Sequence, residues 1–369
     1  MKEMINWMGG WPERTEVGEA EWRERWLAGR SSSQAGADAD GAAGEWARRY
    51  LRGAGAVLLA RGADDALRRL IERRVRPGDV VLTERLASRQ ALRQIARAGA
   101  SAAAVPGDER GMDPGALAEA VARIRPRLVY AAPSCTDPEG RIWSEERVAA
   151  AVRICEERGT ALLLDRRQAL LRFDRDDASA PEWAAPGGEV LEIGEIPPGL
   201  LPGARVGWIA SRSRTRSRMI ADAGAQPPAG LSAAREAAFA ADALAALDWL
   251  TDTAGAQALR AYRSRVRGRM ERLHRLLAAG PWPEVSGRFP QGGLHYWLRL
   301  PEGLSGEILL RNAWRKGMLF QPGAAYYADR PEWNAIRLTA VHSDEEEIDA
   351  GVSRLFEAIG DFLGRWEGD

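Results

Sequence analysis

The sequence predicts an α/β fold: a mainly parallel seven-stranded sheet with helices on both faces, followed by a small C-terminal α+β domain. Three observations carry this. Short apolar runs alternate with helix-period segments through the middle of the chain. Several of those runs are unbroken Leu-rich or β-branched stretches, as strands buried on both faces require. From about Pro228 the composition turns Ala/Leu/Arg-rich and the alternation stops.

In order, the candidate strands are Ala56–Ala60, Asp79–Thr83, Ser101–Val105, Leu128–Ala132, Ala161–Asp165, Val190–Gly194 and Arg205–Ala210. Between them lie helical segments at Asp64–Arg74, Arg89–Ala98, Pro114–Ile124 and Glu145–Arg158. Ser232 to Leu277 reads as long helices leading into the second domain. Short strands follow near His295–Leu300, Met318–Gln321 and Ala335–Thr339. A last helix is expected from Ser343, where Ser343 and Glu346 form an S-x-x-E capping box. Ile348, Val352, Leu355, Phe356, Ile359 and Phe362 then share one face. Ser32–Gly44 reads as a loop, and no repeat of solenoid period is present. These features divide the chain into a segment 1–44 that packs on the small domain or a partner, a large domain 45–250 and a small domain 251–369.

The chain has 369 residues, with 52 Lys+Arg balanced by 52 Asp+Glu. That balance gives no reason to expect a nucleic-acid or acidic-membrane partner. There is no apolar run of membrane-spanning length and no signal-peptide core, so a soluble cytoplasmic protein is expected. Cys135 and Cys155 form no disulfide framework. Of the 52 basic residues only Lys2 and Lys316 are lysines. Arginine stays protonated and is a poor amine nucleophile, so Schiff-base chemistry has two side chains to draw on. Drift toward arginine accounts for the surface, but it does not by itself remove a lysine that chemistry requires.

Common chemical motifs are missing: no Walker A sequence, no G-x-G-x-x-G after a strand, no H-E-x-x-H, no G-x-S-x-G. His274, His295 and His342 are spaced too widely for a local metal site, and no metal is expected. Arg212, Arg214, Arg216 and Arg218 read as a solvated face rather than a phosphate patch. What remains are strand ends, where open parallel sheets bind ligands. They present Ala132–Gly140, then Asp165, then Gly194–Pro198.

These residues carry a resemblance. Tyr130–Gly140 (YAAPSCTDPEG), Ala161–Asp165 (ALLLD) and Leu201–Ile209 (LPGARVGWI) resemble fold-type I, PLP-dependent class I/II aminotransferases. The nearest flavour is the aminotransferase-like domain of MocR-type GntR regulators, and their winged-helix domain is not expected in the residues that precede it. The pattern continues through Pro77–Val81, Gly111–Pro114, Gly292–His295, Pro322–Ala328 and Ile336–Leu338, colinear over roughly residues 45 to 362. The resemblance implies the PLP-dependent transferase-like (aspartate aminotransferase) fold and a homodimer.

It also implies roles, position by position. Asp165 matches the carboxylate that pairs with the cofactor's pyridine nitrogen, Arg205 the arginine beside its phosphate, and Arg337 the arginine that grips a substrate carboxylate. The remaining positions depart. The Schiff-base lysine falls on Pro198, the Asn of the N-P-T-G turn is Asp137, and the hydroxyl–glutamine pair of the phosphate loop is Ala63–Asp64. The stacking aromatic falls at about Ser88, and the Tyr after the retained Asp at about Gln168. Lys316 closes a helix of the small domain and Lys2 lies in the tail; neither is expected to replace the amine.

The leading expectation is therefore a pseudoenzyme without catalytic residues, its covalent PLP chemistry lost. It would act as a regulatory subunit, as the partner of an active paralogue, or by binding a small amino or carboxylic acid. PLP or PMP binding without a covalent link stays open through the remnant positions Asp165, Arg205 and Asp137, with Arg337 as the substrate-side residue. The alternative is an enzyme with remodelled or noncovalent PLP/PMP chemistry, using Asp137, Asp165 and Glu195 around an arginine as acid–base groups. Structural readings also stay open: Asp165 as a loop cap, Arg205 paired with Asp137 or Glu195, Arg337 holding a small-domain strand. The Trp-rich N-terminus (Trp7, Trp11, Trp22, Trp26) is expected at an interface or over the small domain.

Overall fold

The structure, a computed structural model, describes residues 4–9, 15–24, 46, 51, 56–174, 188–203, 205–211 and 233–366. The Ser32–Gly44 loop, the arginine run 212–218, Trp11, Trp26 and Lys2 lie outside the described residues.

The first half of the chain builds one sheet from β2 (Ala56–Ala60), β3 (Val80–Glu84), β4 (Ser101–Val105), β7 (Leu128–Ala131), β8 (Ala161–Asp165), β9 (Val190–Glu195) and β10 (Gly207–Ser211). Their order is β2-β10-β9-β8-β7-β3-β4. Every pair from β9 to β4 is parallel, whereas β10 runs antiparallel to both its neighbours. This is the mainly parallel seven-stranded sheet that the alternation predicts. β8 shows why: all five residues of ALLLD are buried, and each fully buried Leu contributes about 1.5–3 kcal/mol. Such a strand has no face to give to water.

Helices α1 (Ala63–Arg74), α2 (Arg89–Arg97), α3 (Pro114–Ile124) and α4 (Glu145–Glu157) connect the strands. Apolar clusters form on both faces of the sheet. One joins α1 and α2 to Leu163, Ile193 and Ile209; the other joins α3 and α4 to Leu162, Leu164 and Val129. Asp113 caps α3 and Ser144 caps α4 through their side-chain oxygens, each worth roughly 1 kcal/mol. A two-residue hairpin, β5 (Gly107–Asp108) and β6 (Gly111–Met112), sits between β4 and α3.

Two long helices follow, α5 (Ala233–Thr251) and α6 (Thr253–Ala278). The second sheet has the order β1-β12-β13-β11, from β11 (Tyr296–Arg299), β12 (Met318–Pro322), β13 (Ala335–Leu338) and the N-terminal β1 (Ile5–Trp7). The N-terminal tryptophans are thus partly core. Trp7 is fully buried in β1, which pairs parallel with β12, and Trp22 packs edge-on against Trp249. Helices α7 (Gly306–Arg315) and α8 (Glu345–Trp366) complete this part.

The start of α8 corrects the expected cap. The capping box is one residue later: Asp344 Oδ1 accepts the Glu347 amide at 2.9 Å, and Glu347 Oε2 accepts the Asp344 amide at 3.3 Å. Ser343 Oγ is already committed, accepting the indole N–H of Trp7 at 3.0 Å.

Candidate functional site

The carboxyl ends of β8 and β9 and the faces of β12 and β13 enclose a cavity of about 430 Å³. Asp137, Arg205, Arg337 and Pro198 all reach its wall. Asp165 does not, because Arg167 covers it.

Asp165 ends β8 and is 3% exposed. Tyr130, buried on the neighbouring β7, donates its hydroxyl to Asp165 Oδ2 at 2.7 Å. Two residues beyond, Arg167 returns its Nε to both carboxylate oxygens at 3.0 and 2.9 Å, and its backbone N–H to Oδ1 at 3.1 Å. Arg167 Nη1 reaches Asp64 at 2.6 Å. Burial works against the Arg167 charge, but Asp165 and Asp64 outweigh it and hold the guanidinium well above its ordinary pKa. Burial, and then Asp165, push the Tyr130 hydroxyl well above its own. Asp165 is thus a loop-organising carboxylate whose counter-ion comes from the chain itself.

The N-terminus of α1 is held in the same way. Gly62 precedes it at φ 84°, a left-handed conformation that permits the sharp turn out of β2. Glu195, the last residue of β9, accepts the Ala63 N–H through Oε2 at 2.8 Å. A carboxylate there meets the positive end of the helix dipole. Burial raises the Glu195 pKa to about 7, opposed by Arg167 and the Ala63 amide.

Arg337, on β13, is 8% exposed. Its Nη1 contacts Asp137 Oδ1 and Oδ2 at 3.0 and 3.2 Å, its Nη2 donates to the Met8 carbonyl at 3.0 Å, and its guanidinium lies 5.1 Å over the Tyr326 ring. Burial raises the Asp137 pKa, but the Arg337 charge and its hydrogen bonds more than offset this, leaving it below the usual carboxylate range. His295 is driven down to about 3 by burial and by Arg337, so it is neutral, with Nδ1 3.0 Å from Thr339 Oγ1. Asp137 is taken up by Arg337, Glu195 caps α1, and Arg205 lines the same cavity.

At the resemblance's lysine position, Pro198 lines the cavity and its carbonyl accepts the Tyr262 hydroxyl. Gln168 also lines the cavity, its Oε1 accepting the Leu294 amide at 2.8 Å. Lys316 stands outside the cavity, 2.9 Å from Asp361. Among the described residues, no three His, Cys, Asp or Glu side chains are grouped to hold a metal, and no helix is long and apolar enough to cross a membrane.

The carboxylate that the resemblance pairs with the cofactor's ring nitrogen is covered by Arg167, the Ala63 amide at the phosphate-loop position is met by Glu195, and among the described residues the cavity wall offers no lysine amine. Sequence reasoning missed Arg167 altogether, although an Arg two residues after a strand-ending Asp is the one local signal of this closure.

Comparisons with known proteins agree with this architecture. The chain is 28% identical over 266 residues to the 2-aminoadipate transaminase of Thermus thermophilus, a match covering 70% of this chain and 64% of that protein. It is 23% identical over 278 residues to YisV of Bacillus subtilis, an uncharacterized HTH-type transcriptional regulator, covering 75% and 55%. The chain thus spans less than two thirds of the length of these relatives. No family model matches. Among solved structures, the α-aminoadipate aminotransferase LysN of Thermus thermophilus, complexed with N-(5'-phosphopyridoxyl)-L-leucine, superposes with a TM-score of 0.80 at 24% identity, covering 98% of this chain and 94% of that one. The fold is that of the fold-type I aminotransferases, and the relatives include both aminotransferases and regulators.

Proposed function

We propose that this aminotransferase-fold chain has lost covalent PLP catalysis and acts as a binding or regulatory pseudoenzyme, its cleft taking a small acid. One observation carries the reading: the position matching the Schiff-base lysine is Pro198, and among the described residues no lysine lines the cavity. Three internal pairings support it. Asp165 with Arg167, Asp137 with Arg337, and Glu195 with the Ala63 amide occupy the groups that the resemblance reserves for cofactor and substrate. Residues 45–250 would form the large domain and 251–369 the small one, with the 1–44 segment contributing to the latter. A homodimer, or a dimer with an active paralogue, is the expected assembly.

The test mixes the pure full-length chain with PLP, follows the visible and near-ultraviolet absorbance, reduces with borohydride and maps any adduct by peptide mass spectrometry. The expected result is no site-specific adduct and no amino-group transfer between amino and keto acids. A stoichiometric reduced adduct on either lysine overturns the proposal.

One observation favours the alternative of remodelled chemistry in the same cleft. Glu195 faces an open cavity with a pKa of about 7, as a general acid–base group at neutral pH would. Turnover of any substrate that E195Q abolishes without loss of folding would select this reading.

A further inference from the structure

At the start of α2, the cavity wall carries positive charge that no carboxylate among the described residues meets. The chain leaves β3 and enters α2 at Ser88, which is 3% exposed, lines the cavity and takes the extended N-cap conformation (φ −50°, ψ 125°). Its hydroxyl accepts no amide of the helix, and among the described residues it has no hydrogen-bond partner. The first intrahelical bond is from the Leu92 N–H to the Ser88 carbonyl at 3.0 Å. The amides before it have no side-chain cap, and the first turn holds no acidic residue.

Two arginines extend the same wall. Arg89 donates Nη1 to the neutral amide oxygen of Gln321 at 2.5 Å, and Arg93, one turn on, forms no ion pair among the described residues. Both line the cavity. Three other cavity arginines differ: Arg337 is held by Asp137, Arg167 by Asp165 and Asp64, and Arg61 by Glu236 at 2.9 Å. A buried hydroxyl, a helix N-terminus and two guanidiniums without carboxylate partners form a set of donors carrying positive charge. The group that satisfies such a set is an oxyanion. An ammonium placed there would be repelled by both arginines.

We propose that Ser88, Arg89, Arg93 and the first amides of α2 form an oxyanion-binding site for the carboxylate or phosphate of a small acid. This rests on reading the cleft as a ligand site, and it makes the ligand an acid rather than a zwitterionic amino acid. The site lies where the resemblance puts the ring-stacking aromatic, so the change at Ser88 replaces an apolar ring contact with a polar donor.

Isothermal titration of the full-length protein with succinate, citrate and inorganic phosphate, at low and raised salt, tests it. Saturable, salt-sensitive binding of at least one probe is expected, and the preference among probes separates carboxylate from phosphate. R89Q/R93Q should weaken that binding roughly tenfold or more, the loss expected on removing charge-assisted hydrogen bonds. S88A should weaken it severalfold, and R97Q, at the far end of α2, should leave it unchanged. Circular dichroism melts confirm that each variant is folded. No binding by any probe, or binding indifferent to R89Q/R93Q, overturns the proposal. The PLP and borohydride experiment reports separately on the pseudoenzyme reading, because a covalent adduct there leaves this titration to be decided on its own.

Discussion

Asp137→Asn removes the counter-charge of Arg337 while preserving shape, and it restores the residue type that the aminotransferase resemblance has at this turn. The side chains of Arg337 and Asp137 are 10% and 13% exposed, so the pair is largely out of water. Breaking a buried pair by removing one partner costs about 3–5 kcal/mol. Arg337 keeps the Met8 carbonyl and the Tyr326 ring, and the cavity admits water on one side, which puts the cost near the lower end. At ~2.1 cal/mol/K per residue, 369 residues give an unfolding entropy of roughly 0.8 kcal/mol/K, so about 3 kcal/mol lowers the melting temperature by about 4 °C. The pH dependence carries a definite sign. The Asp137 pKa is depressed in the fold, so its contribution is full above the ordinary carboxylate pKa and is lost as pH falls through the folded value. Thermal melts followed by circular dichroism should show the gap between wild type and D137N at neutral pH and its closing in acid. A D137N protein that melts with the wild type at pH 7, or a gap that does not change with pH, would refute the reasoning.

Glu195 has the opposite sign, because its folded pKa of about 7 lies above the ordinary 4.5. Between those values the folded state holds more protons than the unfolded one, so this group's contribution falls as pH rises. E195Q, which keeps an acceptor for the Ala63 amide, should therefore gain melting temperature over wild type at pH 8 relative to pH 5; Glu84, also raised to about 7, contributes equally to both proteins and cancels. P198K supplies an amine to the cleft but leaves Arg167 and Glu195 in place. Borohydride reduction with PLP should give no adduct at position 198, and peptide mapping that finds one would show that the missing amine is the only barrier. Gly194→Ala would put its Cβ 2.4 Å from the Trp208 indole between β9 and β10. Overpacking of this kind costs about 1–3 kcal/mol, visible as a lower melting temperature; an unchanged one would mean the indole shifts freely.

The elements were legible wherever one segment decides its own structure. ALLLD at 161–165 can only be a strand covered on both faces, and Asp113-Pro114 sets both cap and first turn of α3. The start of α8 was misplaced by one residue because Ser343 and Asp344 both satisfy the capping pattern three residues before a Glu. What separates them is an indole 336 positions earlier that claims the Ser343 hydroxyl. The site failed in the same way. Position-by-position resemblance placed Asp137, Arg205, Arg337 and Pro198 around one cavity, as they are. It did not reveal that Arg337 and Asp137, 200 residues apart in sequence, would find each other, nor that Arg167 would bridge Asp165 and Asp64. Pairings between distant segments are set by packing, and sequence periodicity carries no information on them.

These pairings follow a common physical logic. A cleft shaped for an acidic cofactor and an acidic substrate holds buried cations and an uncapped helix end, and without the ligand each is costly. On the proposed reading, a chain that does not anchor PLP must either lose those groups or neutralise them from within. Here Arg337 is retained and met by Asp137, and the α1 amide is met by Glu195. Arg167 adds a cation against Asp165, which would otherwise be an unpaired buried carboxylate. Two of the three groups are carboxylates standing where an anionic ligand would make the same contacts, so the fold keeps its charge balance without one. The exception is the start of α2, where Ser88, Arg89 and Arg93 face the cavity with no internal acid supplied. On the proposed reading, that donor cluster is where this cleft would take an acid.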